Sequence, residues 1–463
     1  MKLWGGRFGR RRSDPDFDKF SESFSVDQRL ILFDLAVNRA YVRELGRARV
    51  LQAGEVRQLT RGLEAIARHV KRHPRWAMGE AAEDVHSWVE ARLEKEAGPV
   101  AGKLRTGRSR NDLVATDTRL YLKSAISNLK SALIELLESL LAQAQRHKQA
   151  VLPGYTHLQP AQPILFAHHL LAYFEMFLRD LGRLEGCLAR ADELPMGAGA
   201  LAGTTFPIDR RRLARELGFT RVARNSLDVT SDRDFVCELL FVCAMMMTHL
   251  SRLAEDLIIY STPGFGFVEL ADAYSTGSSQ MPQKKNPDSL ELIRGRAARV
   301  LGRLTSSLAL LKGLPLAYSR DLQEDKAALF DGIDTTRASV KIAARVVDTL
   351  RIDAARMKGA TAVGFLTATD VADELVRRGV PFSAAHEQVG RLVRYCDTHH
   401  MTFADVSDAQ AREHIPSWDG KLRHLAVSSE SALARRNVIG GTAPRQVARQ
   451  LRAAQRTLKA LKR

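Results

Sequence analysis

Along this chain apolar residues recur at helical spacing far more than in alternation. From about Asp117 to Lys148, Ile126, Leu129, Leu133, Leu136, Leu137, Leu140 and Leu141 form one stripe. Those three- and four-residue steps predict a long helix with one buried face, ending before Pro153. The same spacing predicts helices over about 27–50, 54–71, 83–96, 163–191, 234–260 and 288–313. Phe235 to Leu250 is the most apolar run, interrupted by Glu238 and His249. It reads as a core helix, too short and too polar to cross a bilayer. Long antiparallel helices with few strand-like runs predict an all-α protein built on a long-helix bundle. Residues 1 to about 20, with WGGRF and Arg10–Arg12, read as an irregular basic arm. Gly379, Pro381, Trp418 and Gly440-Gly441 punctuate shorter helices near the C-terminus. The expected division is an N-terminal helical domain with its arm (1–112), a central long-helix domain (113–360) and a small C-terminal helical domain (361–463).

One stretch breaks the helical pattern conspicuously: STGSSQMPQKKNPDSLELIR, from Ser275 to Arg294. Gly277, Ser278 and Ser279 have the composition of a mobile loop. Pro282 and Pro287 punctuate it, with Lys284, Lys285 and Asn286 between them. Beyond Pro287 helical spacing resumes, with Pro287 and Asp288 in the first turn, where a missing N–H is harmless and an acid suits the helix dipole. Two hydroxyls, two ammonium groups and an amide on a loop anchored to a long helix suit the handling of an anion.

Other polar clusters sit at helix ends. LRTGRSRNDLVAT (104–116) carries Arg108, Arg110 and Asn111, forked donors able to hold carboxylates. PGYTHLQPAQ (153–162) places Thr156 and His157 ahead of Pro160 and Pro163, on what reads as rigid, extended backbone. EDVHSWVE (83–90) holds His86 two residues after Asp84, off the same helix face. GAGALAG (197–203) contains a GxGxxA string, but no strand precedes it, so a dinucleotide site is rejected. The acids of NSLD and SDRD (225–234) have an ordinary reading as helix caps.

Composition narrows the classes. The 463 residues carry 45% hydrophobic and 27% charged positions, ordinary for a soluble globular protein with a large core. Lys and Arg number 70 against 53 acids, a net charge of +17 that favours anionic small molecules and would also suit nucleic acid or anionic lipid. Aromatic interleaving with the cations, a helix-turn-helix and an RNA-module motif are all lacking, so nucleic acid is not the expected partner. Cys187, Cys237, Cys243 and Cys396 show no paired spacing and read as buried free thiols in a reducing cytoplasm. No cluster with metal-ligand spacing and no N-terminal signal pattern is evident.

GSSQMPQKKNP resembles the signature loop of the fumarase/aspartase superfamily, in the form typical of its argininosuccinate lyase family. WGGRF, EDVHSWVE, GRSRND, GYTHLQ.AQP, NSLD..SDRD and GGTAP are similar to the same family, so the resemblance covers nearly the whole chain. It implies a homotetramer whose central helices form a twenty-helix bundle, with each site shared between chains. It implies cofactor-free, reversible elimination of argininosuccinate to L-arginine and fumarate, in arginine biosynthesis in the cytoplasm. By resemblance Ser278 is the base, and Lys284 and Asn286 hold the carboxylate on which charge builds. His157, oriented by Glu291, is the acid or relay. Arg110, Asn111 and Thr156 grip carboxylates, while Tyr318, Gln323 and Lys326 match positions contacting the amino-acid end. His86, Ser109, Arg233 and Ser279 would support them.

Four positions depart from the family pattern. Asn38, itself a substrate-binding candidate that can still donate, stands where a substrate-binding Ser is usual, Arg105 for His, Leu113 for Gln and Ser319 for Asn. Two alternatives stay open at this point: a related succinyl-amine lyase of shifted substrate, and a catalytically silent fold serving as a structural or nucleic-acid-binding protein.

Overall fold

The computed structural model describes residues 14–462; the WGGRF segment and Arg10–Arg12 lie outside the described residues. Five long helices dominate: α1 Arg110–Arg146, α2 Phe166–Ala191, α3 Asp234–Ser261, α4 Asp288–Leu311 and α5 Asp325–Asp348. The leucine stripe that predicts α1 is buried throughout, from Ile126 to Leu141. Strand structure among the described residues is confined to two-stranded pairs, and the class is all-α, built on long helices.

Several boundaries differ from the sequence expectation for identifiable reasons. The end of the arm is ordered: Pro15–Ser21 is a helix, begun by Pro at its first position and capped by Asp14, whose carboxylate accepts from the Asp16 and Phe17 amides. Helix α1 starts about seven residues early, because Ser109 and Asp112 cap it, so Arg110 and Asn111 lie in a first turn rather than a loop. Helix α2 starts at Phe166, since Val151–Thr156 (β1) and Gln159–Leu165 (β2) pair as an antiparallel hairpin. Helix α3 runs 28 residues, long and apolar enough by length and composition to cross a membrane, contrary to the shorter reading. Two-thirds of its most apolar window (67%) is nevertheless buried inside the protein, as in a core helix.

The chain divides into two compact units. One comprises residues up to Lys130, Leu181–Met245 and Ala298–Arg337; the other comprises Ser131–Asp180, Met246–Ala297 and Ala338–Arg463. The boundary cuts each of the five long helices. In the first unit, the helices Ile31–Arg47, Ala53–Arg72 and Val85–Ala97 bury Leu35, Tyr41, Leu45, Leu59, Leu63, Trp88 and Leu93. Burial of this kind contributes about 1.5–3 kcal/mol for each large side chain. In the second unit the C-terminal helices wrap their own cluster, with Val371, Leu375, Val389, Leu392, Phe403, Trp418 and Leu422 at its centre. The four cysteines are free and buried.

Close helix packing in the first unit depends on Gly332 of α5, where an added Cβ would lie 2.4 Å from Leu240 Cδ2 of α3. Leu240 is fully buried and has nowhere to retreat. Gly332→Val should therefore lower stability by about 1–3 kcal/mol through overpacking. A urea titration would register this as a lower unfolding midpoint; an unchanged midpoint would show that the contact is slack.

Candidate functional site

The first turn of α1 is built by a reciprocal cap. The Ser109 backbone N–H donates to Asp112 Oδ1 at 3.0 Å, and Ser109 Oγ accepts from the Asn111 amide at 3.2 Å. Ser109 is thus occupied as a cap. Asp112 Oδ2 accepts from the Gly197 and Gly199 amides, both at 2.9 Å. The rejected GAGALAG string therefore has a use, as a backbone nest for a buried carboxylate. Asn111 Nδ2 reaches the same segment, donating to Ala200 O at 3.3 Å. Arg110 donates to Ser87 Oγ at 2.9 Å and lies 3.0 Å from Asp84 and 3.5 Å from Glu83. It is half-buried, with its guanidinium held by acids at the N-terminus of the Val85–Ala97 helix.

Arg108 plays a different part. Its side chain is buried, donates to Asn38 Oδ1, faces Glu90 at 3.6 Å and lies over the Tyr41 ring. Asn38 is buried too, and its Nδ2 donates to the Asp34 carbonyl at 2.9 Å and to the Asp34 carboxylate. Both ends of that amide are engaged inside the protein. His86 Nδ1 lies 2.6 Å from Asp34 and 3.8 Å from Asp117. Burial opposes a charge on His86, yet the Asp34 hydrogen bond and the nearby acids hold its pKa above the usual imidazole value. Burial, reinforced by Asp34, pushes Asp117 well above the carboxylate range. These three residues place potential ligand atoms within 4.8 Å of one another. The Asp34–His86 hydrogen bond joins this buried set internally.

A second group closes the same unit. Lys326 Nζ sits 2.8 Å from Asp325, whose other oxygen takes the buried Arg233 guanidinium. Gln323 Nε2 donates to the Ser21 carbonyl at 3.3 Å, beside Arg320, which reaches Ser21 O and Glu83. Tyr318 is half-buried, and desolvation raises its pKa. Asp27 lies electrostatically between the groups, facing both His86 and Lys326; it accepts from Ser23 Oγ at 2.8 Å and the Val85 amide at 3.0 Å. Burial pushes it up to about 7. Sequence reasoning missed Ser23 and Asp27 because a Ser and an Asp before a helix look like ordinary caps. Of the departing positions, Arg105 pairs with Glu90, Leu113 is buried, and Ser319 precedes a 3₁₀ turn at Arg320–Glu324.

The second unit carries the other candidates. Thr156 pairs with Gln159, which leaves His157 and Leu158 as a two-residue hairpin loop. Their φ values of 55° and 57° put both in the left-handed region, so His157 is not on extended backbone as the flanking prolines suggest. Such turns favour Asn-Gly; a His-Leu pair carries strain of about 1–2 kcal/mol per residue. The turn places an exposed imidazole at the tip.

The Ser275–Asn286 segment is also less loose than its composition suggests. Thr276–Gly277 (β3) pairs antiparallel with Lys285–Asn286 (β4), so Ser278 directly follows one strand and Lys284 directly precedes the other. Ser278 Oγ accepts from the Gln280 and Met281 amides at 3.2 and 3.1 Å. Thr276 Oγ1 donates to Asp288 and Ser289 Oγ to the Tyr274 carbonyl, tying the loop to the start of α4. Lys285 is held by Glu269 at 2.8 Å and Asp272 at 2.7 Å. Lys284 is exposed and, among the described residues, makes no ion pair; Ser279 is exposed and Asn286 half-buried. His157 and Glu291 are both exposed, and no hydrogen bond joins them within the chain.

The strained turn makes a prediction. Replacing His157-Leu158 by Asn-Gly should relieve the left-handed strain and raise unfolding stability by about 1 kcal/mol. Denaturant titration checks this; a lower midpoint would mean that the turn is held by contacts of these two side chains.

Against known proteins, residues 6–302 match the profile described as lyase, and residues 365–434 the argininosuccinate lyase C-terminal profile. The chain is 48% identical to the argininosuccinate lyase of Trichlorobacter lovleyi, over 97% of this chain and 98% of that one. It is likewise 48% identical to that of Moorella thermoacetica, over 99% and 98%. A solved EDDS lyase variant with bound fumarate superposes with a TM-score of 0.85 at 28% identity, covering 98% of this chain and 92% of that one. A class II fumarase from Schistosoma mansoni, at 14% identity and TM-score 0.75 over 88% and 91%, shares the fold. With near-half identity over almost its whole length, and with both profiles matched in order, the chain belongs to the argininosuccinate lyase family.

Proposed function

We propose that this protein catalyses the reversible elimination of argininosuccinate to L-arginine and fumarate, a step of arginine biosynthesis. The observation that carries this is the end-to-end match to argininosuccinate lyases, 48% identical over almost the whole chain. The bound fumarate of the EDDS lyase neighbour supports the same class of carboxylate chemistry.

The difficult step removes a proton from carbon next to a carboxylate, which loads negative charge onto that carboxylate. Ser278 serves as the base. A serine hydroxyl is a very weak acid, and the two backbone amides aimed at its oxygen favour the alkoxide. Lys284, which directly precedes β4 as Ser278 directly follows β3, adds a cation. Because Lys285 is tied to Glu269 and Asp272, Lys284 is the lysine free to meet substrate, with Asn286 as a second donor to the aci-carboxylate. Electrons from the broken C–H bond form the fumarate double bond as the C–N bond breaks, and His157 returns a proton to the leaving nitrogen. Arg110, Asn111 and Thr156 orient the carboxylates; Tyr318, Gln323 and Lys326 receive the arginine-side amino-acid group. Ser279 stands beside the base as a further hydroxyl. His86, Asn38, Ser109 and Arg233 act by positioning, in keeping with their internal partners. The balance of bonds requires no redox partner or group carrier.

A homotetramer with shared sites fits two observations. Helix α4 leaves Leu301 and Leu308, two turns apart on one face, at 46 and 53% exposure, apolar surface of the kind that seeks a partner. Glu291 on the same helix has no bond to His157 within the chain, so their pairing is assigned to neighbouring subunits. Buried free cysteines suit a cytoplasmic protein, and the burial of α3 suits a core helix rather than a membrane anchor. The partition 1–112, 113–360 and 361–463 is kept as the domain reading, supported at its C-terminal end by the separate cluster around Leu375 and Trp418.

Fumarate absorbance after adding argininosuccinate tests the proposal. Wild type should turn over, and Ser278→Ala should lose about 10²–10⁴-fold in kcat, the range for a general base, with its melting midpoint kept. Full activity in Ser278→Ala would remove Ser278 from the role. Faster release of fumarate from adenylosuccinate or aspartate than from argininosuccinate would redirect the substrate.

A further inference from the structure

Building on that reading, we propose that the Gly197–Gly203 turn is a further active-site element. It acts as a positioning clasp that, through Asp112 and Asn111, sets how Arg110 and Asn111 are presented and so tunes affinity for the substrate's carboxylate.

The turn is a built object. Arg210 staples it from behind, donating to the carbonyls of Leu194, Pro195, Met196 and Ala223 at 3.1–3.3 Å. Gly197 and Gly199 have φ values of 90° and 63°, and a Cβ on either would collide, with Arg210 Cγ at 2.9 Å and with Gly203 O at 2.5 Å. Gly203 N closes the turn onto Ala198 O at 2.8 Å, and Ser226 Oγ donates to Leu201 O at 2.8 Å. The turn thus presents two fixed N–H groups to one oxygen of Asp112, while the other oxygen caps α1. Asn111 donates to Ala200 O of the same turn. Farther along, Thr204 and Phe206 pack on Gly107, where a Cβ would stand 2.8 and 2.7 Å from them. The turn therefore grips the substrate-facing segment at Gly107, Asn111 and Asp112, and Arg110 lies between these grips.

Asp112 is fully buried, and burial pushes its pKa up to about 6 despite three amide donors. The charged and titratable groups facing it are Arg108 from its own segment, Arg210 from beyond the turn and Tyr41 from the Ile31–Arg47 helix. Above that pH the carboxylate accepts all three amides. Below it, one oxygen carries a proton and accepts only weakly, and one grip is loosened.

The test uses Gly199→Ala and Asp112→Asn in the full-length enzyme, with argininosuccinate turnover, fumarate binding by calorimetry and hydrogen exchange over 107–112. In Gly199→Ala, KM for argininosuccinate and Kd for fumarate should rise about tenfold, the equivalent of one lost charge-assisted hydrogen bond. kcat should hold, and exchange over 107–112 should quicken. The acid limb of kcat/KM in wild type should be missing from Asp112→Asn. Unchanged KM and Kd in both variants would overturn the clasp, as would losses that follow only the fraction of unfolded protein. If Gly199→Ala fails to fold, Asp112→Asn decides by its KM and pH profile. A wild type that forms no fumarate overturns the functional reading instead, and hydrogen exchange in the variants still decides whether the turn holds the segment.

Discussion

Where one buried carboxylate finds its hydrogen bonds decides where the 37-residue α1 begins and which way its first turn faces. Asp112 satisfies an orphan amide of the helix terminus with one oxygen and joins a glycine turn 85 residues away with the other. A carboxylate in that position would be expensive without its three donors, because desolvation penalises the charge. Local capping and tertiary closure therefore stand or fall together. The donors Arg110 and Asn111 lie between the two ends of that arrangement. Beneath it Asp34, His86, Asp117, Asn38 and Arg108 form a buried layer joined by hydrogen bonds and close contacts.

The second unit presents its chemistry by different physics. At the β1–β2 tip, the backbone of His157 and Leu158 is held in a left-handed conformation that neither residue prefers. The pairing of the two strands stabilises that turn from both sides, and the result is an exposed imidazole at the tip. At Ser278 the device is a short β3–β4 pin with a hydroxyl turned onto its own backbone amides. A strained turn places one group, and local hydrogen bonding conditions the other.

By net charge alone, +17, the chain should attract any polyanion. The structure divides the cations more finely. Arg108 and Arg233 are buried against Asn38 and Asp325, Lys285 is pinned by two carboxylates, and Arg110 rests against Asp84 and Glu83. Neighbouring Lys284 is left exposed without an ion pair among the described residues. Local acidic partners, more than total charge, decide which cations can meet a ligand.

The sequence by itself determined the helical class, the course of α3 and α4, the buried stripe of α1 and the segments proposed to carry the chemistry. Those features rest on periodicity and on short, ordered motifs, both of which are local. Tertiary structure decided which members of each motif are free. Within GRSRND, Ser109 and Arg108 turn inward while Arg110 is half-exposed, and nothing in their order foretells it. The strained His157 turn and the use of GAGALAG as a carboxylate nest were equally hidden. A strand pairing and a buried carboxylate's acceptors depend on partners tens of residues away, and hydrophobic spacing along a chain does not encode those distances.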